Sequence, residues 1–343
     1  MHCVRKIVED LYWVGGNDSR LALFENIHPI PRGVSYNSYL LLDEKTVLFD
    51  TVDWSICRQF LENIHEVLGD RTLDYLVVNH VEPDHAAGIE ELILRYPDMK
   101  IICSNKAYLF MGQFGFNVDG KLFKNEINFD SNWIDDTRRY YTNIVGKYGP
   151  HVQALLKKAS SLDIKIICPL HGPVWRDDLE YLLDKYNKWS IYEPEEKGVM
   201  IVYGTMYGNT ESAAYNLATR LVEKGMTNVV MYDVSKTHVS YLISDTFKYS
   251  NLVLASVTYN LNIYPPMLDY IMDMKALNLQ KRNVAIIENG SWAPKSGKLM
   301  REHLDGMKEM TILDNEMSIN STMKEHDIDS MNDLADSIIQ SIK

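Results

Sequence analysis

Residues 79–88 read NHVEPDHAAG and directly follow the short apolar stretch Tyr75–Val78, which is typical of a buried strand. Four potential metal ligands fall within six of these positions: His80, Glu82, Asp84 and His85. In an extended segment alternate side chains share a side, so His80, Glu82 and Asp84 are expected to lie together. Titratable groups crowded in this way repel unless a metal ion compensates them. Because imidazole and carboxylate occur without thiolate, the pattern indicates iron, manganese or zinc.

A second stretch, CPLHGP at residues 168–173, adds one more candidate ligand, His171. It follows Ile164–Cys168, which has the composition of a strand. A single histidine here fits a satisfied loop residue as well as a metal ligand, so both interpretations stay open for His171 alone. The four cysteines lie singly, without a CxxC pair, which excludes a rubredoxin-type iron site or a zinc ribbon within this sequence.

The composition describes a globular chain of about two domains, with 343 residues, 46% of them hydrophobic and 24% charged. The net charge of −12 argues against binding to nucleic acid or to an anionic membrane. No apolar run approaches the roughly 20 residues of a membrane span, and the first residues lack the features of a signal peptide. Since four scattered cysteines are typical of reduced thiols, the sequence predicts a cytoplasmic protein.

The order of predicted elements gives an α/β chain with a linker at Trp189–Val199, where Pro194, Gly198 and three glutamates interrupt the pattern. We therefore expect one domain at residues 1–193 and a second at 199–343. In the second domain five short apolar strands alternate with helices. This alternation predicts a doubly wound parallel sheet with both faces covered.

Three loops of the second domain have the composition of ligand-binding loops. The strand Met200–Tyr203 leads into GTMYGNT at 204–210, whose hydroxyls and backbone N–H groups at a helix start suit one terminal phosphate. Two later strands lead into SVTYN at 256–260 and NGSWA at 289–293. Ligands of such sheets bind at the carboxyl ends of the strands, so the loops predict a flat ring with a phosphorylated tail. The alternative is that these segments bind no ligand and are ordinary tight turns with surface aromatic residues.

The segments TMYGNTE, SVTYN and NGSWAP resemble the three FMN loops of flavodoxins. The resemblance covers about 199–343 and implies that FMN is the cofactor of the second domain. By that resemblance the first loop holds the phosphate and the other two surround the isoalloxazine. The implied FMN-binding residues are Thr205, Met206, Tyr207, Gly208, Asn209, Thr210, Ser256, Thr258, Tyr259, Asn260, Asn289, Gly290, Ser291 and Trp292.

The metal motif resembles HxHxDH of the metallo-β-lactamase superfamily, with Glu82 in place of the second histidine. Taken as a whole, the chain resembles flavodiiron proteins, also called A-type flavoproteins. The features that carry this resemblance are the glutamate at position 82, the flavodoxin-like part and three segments: VSYNSYLLLDEKTVLFDTVD at 34–53, RRYYTNIVGKY at 138–148 and CPLHGP at 168–173. The resemblance implies a metallo-β-lactamase-like αββα sandwich ahead of the flavodoxin-like domain. It also implies a non-haem diiron centre, whose metal and catalytic residues would be His80, Glu82, Asp84, His85 and His171.

One departure from this family concerns the stretch between the metal motif and His171. The family has a further histidine ligand and a bridging carboxylate there, but the next histidine of this chain is His151, on a predicted amphipathic helix. Several dozen residues are missing relative to the family, near 116–120. We expect that a segment is omitted, with a break in the chain between Phe116 and Gly120. The alternative is a true deletion that leaves the site short of ligands.

The resemblance implies a cytosolic oxidoreductase that takes electrons from rubredoxin or a similar donor through FMN to a diiron site. That site would reduce O2 to water or NO to N2O, within a head-to-tail homodimer or a dimer of dimers. One alternative is a non-catalytic FMN electron carrier with a vestigial metal domain. Another is a metal-dependent hydrolase fused to a flavodoxin, against which the glutamate at position 82 argues.

Overall fold

The computed structural model describes residues 3–24, 27–80, 82–104 and 133–342. Its contacts divide the chain into two compact units. The first unit comprises the described residues up to 104 together with Ile164–Leu179, and the second comprises residues 133–163 and 180–342. The expected chain break between Phe116 and Gly120 lies outside the described residues. Within the part of the chain that is described, no helix has both the length and the apolar character needed to cross a membrane.

The first unit is built on a six-stranded sheet with the order β1-β2-β7-β8-β9-β10. Neighbouring strands are antiparallel from β1 to β8 and parallel from β8 to β10. Two further ladders join β3 to β6 and β4 to β5. The strands are β1 (Arg5–Lys6), β2 (Leu11–Trp13), β3 (Gly16–Asp18), β4 (Leu23–Phe24), β5 (His28–Pro29), β6 (Val34–Tyr36), β7 (Tyr39–Leu42), β8 (Thr46–Phe49), β9 (Tyr75–Val78) and β10 (Lys100–Cys103).

The core of this unit follows from two sequence patterns. Helix α1 (Cys57–Leu68), preceded by a 3-10 turn at Trp54–Ile56, buries one apolar stripe that includes Phe60 and Ile64 at the helical spacing. The central leucines of three adjacent strands are fully buried: Leu40, Leu48 and Leu76. The unit also contains α2 (Pro83–Ala86) and α3 (Ile89–Arg95). This packing fixes the strand ends from which the predicted metal ligands emerge.

The prediction of a strand at Ile164–Cys168 was wrong, because within this segment only Ile167 forms a bridge, to Trp175. Side-chain hydrogen bonds hold the chain that follows. The Tyr39 hydroxyl donates to the carbonyl of Pro169 at 2.7 Å, and Asn37 Nδ2 donates to the carbonyls of Pro169 and Gly172. Side-chain hydrogen bonds, and not the expected strand ladder, therefore hold the CPLHGP loop in place.

The second unit contains the predicted parallel, doubly wound sheet, with the order β12-β11-β13-β15-β16. Strand β17 also pairs parallel to β15, and β14 forms a short antiparallel pair with β13. The strands are β11 (Glu196–Gly204), β12 (Val229–Asp233), β13 (Tyr249–Tyr259), β14 (Asn262–Ile263), β15 (Arg282–Asn289), β16 (Met310–Ile312) and β17 (Met317–Ile319). The helices between and after them are α7 (Asn209–Glu223), α8 (Val239–Lys248), α9 (Pro265–Ala276), α10 (Ser296–Leu304) and α11 (Asp327–Ser341).

Three helices that precede the expected linker belong to the second unit: α4 (Ile134–Tyr140), α5 (Gly149–Ala159) and α6 (Leu179–Ser190). A π-helical turn and a 3-10 turn continue α4 through 141–148. The buried carboxylate of Glu195 ties this region together, since it accepts from Arg138, from Lys185 at 2.5 Å and from Trp189 Nε1 at 2.7 Å. This grouping differs from the expected division at residues 193 and 199. The boundaries of separately folding domains therefore remain a proposal.

Candidate functional site

The five predicted metal ligands lie together at the end of β9. Asp84 Oδ2 is 3.7 Å from His85 Nε2 and 3.9 Å from His171 Nε2. His80 Nε2 is 2.7 Å from Glu82 Oε2. The ligand atoms of His80, Asp84 and His171 all lie within 4.8 Å of one another, which is close enough for them to share a metal ion. The CPLHGP loop thus supplies a member of the cluster, and the interpretation of His171 as a ligand is the one that this geometry favours.

The local backbone differs from the extended segment that the alternation of ligands predicted. Helix α2 begins at Pro83, so Asp84 and His85 leave from a helical turn. Proline suits the first position of a helix because its fixed φ is helical and its missing N–H has no partner to lose. The turn brings His85, which the alternation pattern had excluded, close to Asp84. The side chains of His80, Glu82 and Asp84 do lie together as predicted, but the extended backbone assumed for them ends before Pro83.

His85 is held in the form that binds a metal. Its side chain is fully buried, and its Nδ1 lies 3.1 Å from the carbonyl oxygen of Thr51. A carbonyl can only accept, so Nδ1 carries the proton and Nε2 presents its lone pair. Nε2 is buried and has no hydrogen-bond partner. Burial, followed by the nearby His171 and His80, lowers the pKa of His85 well below its usual range, which keeps the imidazole neutral.

The carboxylates of Glu82 and Asp84 disfavour each other's ionised form. Burial raises the pKa of Asp84, and the neighbouring Glu82 raises it further. Two neighbouring carboxylates, one of them buried, ionise together only at a high cost in free energy unless a cation lies between them. Neutral imidazole nitrogens and carboxylate oxygens converging on such a point are a donor set that fits iron and also zinc or manganese. The residues present therefore fit a bound metal.

Sequence reasoning missed two residues that position this cluster, Asp50 and Thr51. The buried carboxylate of Asp50 accepts hydrogen bonds from Asn79 N at 2.7 Å, His80 N at 2.9 Å and Asn79 Nδ2 at 3.0 Å. Thr51 accepts through its carbonyl from His85 and, through its hydroxyl, from Gly88 N. The available signal was the polar pair Asp50 and Thr51 immediately after β8.

The three predicted flavin segments lie at the carboxyl ends of parallel strands, but the second is not a loop as expected: residues 256–259 form the end of β13, and only Asn260 lies beyond it. In the first loop, Gly208 has φ of +86° and forms the N-cap of α7. Its N–H donates to Thr205 Oγ1 at 3.0 Å, and the helix that starts at Asn209 has no side-chain cap. The N–H groups of the first helical turn are therefore available to an anion, which is what a phosphate group requires.

Several of the predicted flavin residues are engaged in holding the loops. Thr258 Oγ1 accepts from the N–H groups of Lys295 and Ser296, and the Ser256 hydroxyl donates to Val257 O. Asn289 Nδ2 donates to Thr210 Oγ1 at 3.3 Å, which links the first loop to the third. These contacts favour a positioning role for four predicted side chains: Thr210, Ser256 and Asn289, which are buried, and Thr258, which is half-buried.

Among the remaining predicted flavin residues, the aromatic and methionine side chains are exposed, whereas Gly290 is buried. Trp292 is 99% exposed and Tyr207 is 89% exposed, whereas Met206 and Tyr259 are about half as exposed. Asn260 lies at the loop tip with φ of +49°, Ser291 Oγ is 3.0 Å from Ser321 Oγ, and Gly290 packs so closely that a Cβ would lie 2.9 Å from Pro294 Cα. Exposed aromatic rings beside an uncapped helix start fit a flat ring system with a phosphorylated tail.

We expect Asp50→Ala to lower metal affinity about 10- to 100-fold, because the carboxylate orients the backbone that carries His80. Asp43→Ala, at an exposed turn of the same unit, is the matched control and should leave metal affinity unchanged. Equilibrium dialysis against Fe2+ under anaerobic conditions measures both. Equal metal affinity in the two variants would contradict the positioning role of Asp50.

For the flavin loop, we expect Gly208→Val to weaken FMN binding at least about tenfold, because a β-branched residue cannot hold the positive φ from which α7 starts. Gly225→Val is the control, since Gly225 has φ of +93° at the other end of the same helix. Quenching of FMN fluorescence on binding to the flavin-free protein gives both affinities. A similar loss in the two variants would mean that general strain, and not the loop, sets FMN affinity.

Family models match both halves of the chain. Residues 34–132 match the ODP family beta lactamase model, and residues 201–305 match the flavodoxin model. The first range contains His80, Glu82, Asp84 and His85 but not His171, and the second contains all three flavin segments. They agree with the antiparallel-to-parallel sheet of the first unit and with the doubly wound sheet of the second.

Two relatives extend the similarity over most of the chain. An uncharacterized protein of Methanocaldococcus jannaschii is 28% identical over 337 residues, covering 82% of this chain and 84% of the relative. Anaerobic nitric oxide reductase flavorubredoxin of Escherichia coli is 25% identical over 349 residues, covering 84% of this chain and 72% of the relative.

Solved structures show the same fold. Rubredoxin oxygen:oxidoreductase from Desulfovibrio gigas has a TM-score of 0.87 at 24% identity, covering 99% of this chain and 98% of that one. The flavodiiron protein from Giardia intestinalis has a TM-score of 0.82 at 21% identity, covering 99% and 97%. The predicted fold class is confirmed: the chain joins a metallo-β-lactamase-like domain to a flavodoxin-like domain, in the fold that flavodiiron proteins share.

Proposed function

We propose that this chain is a flavodiiron oxidoreductase that reduces O2 to water, NO to N2O, or both. The observation that carries the proposal is the convergence of three histidines and two carboxylates at the end of β9, in a chain that also has a flavodoxin-like domain. Glutamate at position 82 supports iron, because an added anionic oxygen donor suits iron better than the N- and S-rich sites typical of zinc.

The cofactors of this proposal are one FMN and a non-haem diiron centre, supported by the flavodoxin match and by the flavodiiron neighbours. When bound, they would supply electron transfer from a donor through the flavin to the irons, and reduction of the gas there. His80 and Glu82 would hold one iron, and Asp84, His85 and His171 the other. The Thr51 carbonyl keeps the proton of His85 on Nδ1, so Nε2 remains a ligand over the physiological pH range.

The flavin would be bound by the three loops at the strand ends. The N–H groups at the start of α7, together with Thr205, would bind its phosphate. Trp292 and Tyr259 would pack against the isoalloxazine. The buried bond between Asn289 and Thr210 would keep the phosphate loop at a fixed distance from the loop that carries Trp292.

The partner is proposed to be rubredoxin or a similar small electron donor. The relatives support this class: the E. coli proteins are named as nitric oxide reductases, and the D. gigas protein as a rubredoxin oxygen:oxidoreductase. A net charge of −12 suits a donor with a complementary basic patch. We further propose a cytoplasmic location and a head-to-tail homodimer or dimer of dimers, in which the flavin of one subunit faces the metal site of the next.

The second candidate is a non-catalytic FMN electron carrier. The observation that favours it is the absence of any histidine in the sequence between His85 and His151, where the related family has a further ligand. A carrier would bind FMN and transfer electrons but would show no metal-dependent reaction with gas. The two candidates therefore differ in the fate of the reduced flavin when gas is added.

We expect Glu82→Ala to abolish rapid flavin reoxidation by O2 and by NO while FMN content stays unchanged, because the residue belongs to the metal site of the first unit. Glu9→Ala, an exposed glutamate of the same unit, should react as the unchanged protein does. Anaerobic stopped-flow mixing of the reduced iron-loaded protein with each gas measures both rates and also shows which gas is preferred. Reoxidation at the same rate in the unchanged protein and in Glu82→Ala would favour the carrier.

A further inference from the structure

We propose that a cavity of the first unit, between β2, β7, β8 and the CPLHGP loop, is a docking site for the diatomic gas on its way to the metal cluster. The inference rests on the proposed function and deepens it, because it gives O2 or NO a binding place outside the cluster itself. Three observations carry it: the size of the cavity, the character of its lining and its position beside two of the candidate metal ligands.

The size of the cavity fits a very small ligand. Its volume is about 250 Å3, whereas sites that enclose drug-sized molecules have roughly 300–1,000 Å3. One water molecule takes up roughly 30 Å3 in the liquid, and O2 and NO are molecules of similar size. The cavity therefore has room for more than one such molecule. The residues that line it are Leu11, Tyr39, Phe49, Asp50, Asn79, Cys168 and Leu170.

The lining favours an apolar ligand over water. Its main polar groups already have partners: the Asp50 carboxylate accepts three hydrogen bonds, one of them from the Asn79 side chain, and the Tyr39 hydroxyl donates to the carbonyl of Pro169. Burial raises the pKa of the Cys168 thiol to about 11, so this side chain carries no charge at neutral pH. Because a water molecule needs two to four polar partners, it gains little here. O2 and NO form only weak hydrogen bonds and lose little on leaving water.

The cavity lies beside two candidate metal ligands. Asn79 directly precedes His80, and Leu170 directly precedes His171. Asp50, a third lining residue, accepts from His80 N at 2.9 Å. A gas molecule in the cavity is therefore close to the backbone that carries both imidazoles.

The exposure of the lining residues shows how a gas molecule enters. Tyr39 and Asp50 are buried, Leu11 and Leu170 are half-buried, and Asn79 is exposed. The cavity thus leads from the surface to a buried end at Asp50. Since apolar surroundings attract an apolar gas from water, the half-buried leucines raise the local gas concentration at the entrance.

Xenon, an apolar single atom, is the probe for the cavity in the metal-free chain, with binding measured by xenon NMR. We expect the unchanged protein to bind xenon, and Leu11→Trp, which fills the cavity, to weaken binding at least about threefold. Leu11→Asn keeps the side chain small but adds an amide that holds water, so it should also weaken xenon binding. Leu23→Trp is the matched control, because Leu23 is an exposed leucine on β4 outside the lining.

The same variants, loaded with iron and FMN and reduced, are then mixed with O2 or NO by anaerobic stopped flow. In both Leu11 variants we expect the second-order rate at low gas concentration to fall at least about threefold. The rate at saturating gas, the iron content and the FMN content should stay unchanged, since the cavity affects the supply of gas and not the cluster. Leu23→Trp should react as the unchanged protein does.

An unchanged circular dichroism spectrum in each variant excludes misfolding as the cause of a slower reaction. If the unchanged protein binds no xenon, or if weaker xenon binding leaves the rate at low gas concentration unaltered, the inference is wrong and the proposed function stands. If the iron-loaded unchanged protein reacts with neither gas, both are wrong.

Discussion

The carboxylate of Asp84 lies almost completely buried among imidazoles and beside a second carboxylate. Its negative charge is therefore costly without a cation, and the hydrogen bonds that orient His80 and His85 make sense as the support of a metal site. Burial and Glu82 both raise its pKa, so the site favours a cation that can replace the missing solvent. The neighbouring strands are arranged accordingly. Asp50 fixes the backbone at His80, and Thr51 fixes the tautomer of His85. A site built only for stability would have no use for an imidazole nitrogen that is buried without a hydrogen-bond partner.

Much of this arrangement could be predicted from the sequence, because motif and strand pattern coincide. Strand β9 ends at Val78, two residues before His80, and helix α2 starts at Pro83, so four ligands leave the chain just beyond one strand end. The resemblance to flavodiiron proteins added His171. Asp50 and Thr51 were not predicted because their hydrogen bonds involve backbone groups, and the pattern of side chains in the sequence does not indicate hydrogen bonds of this kind. The helical turn at Pro83 was missed because alternation was extended past a proline.

The second unit was easier to predict than the boundaries of the first. Five apolar strands in regular alternation with helices allow few topologies, and the main path of the sheet is parallel, as expected. Helices α4 and α6 were harder to place, since their shared hydrogen-bond partner, the buried carboxylate of Glu195, lies in the segment whose composition is typical of a linker. In the flavin site, side chains that a resemblance assigns to the ligand serve partly to connect the loops, as Thr258 does by accepting from the start of α10.

The central claim is that the buried cluster holds iron in a chain that also holds FMN. Metal and flavin analysis of the protein purified under anaerobic conditions tests this claim most directly. The account predicts one FMN and between one and two iron atoms per chain, with little zinc. Zinc in place of iron would instead support a hydrolase, and FMN without any metal would support an electron carrier. Either result would contradict the account.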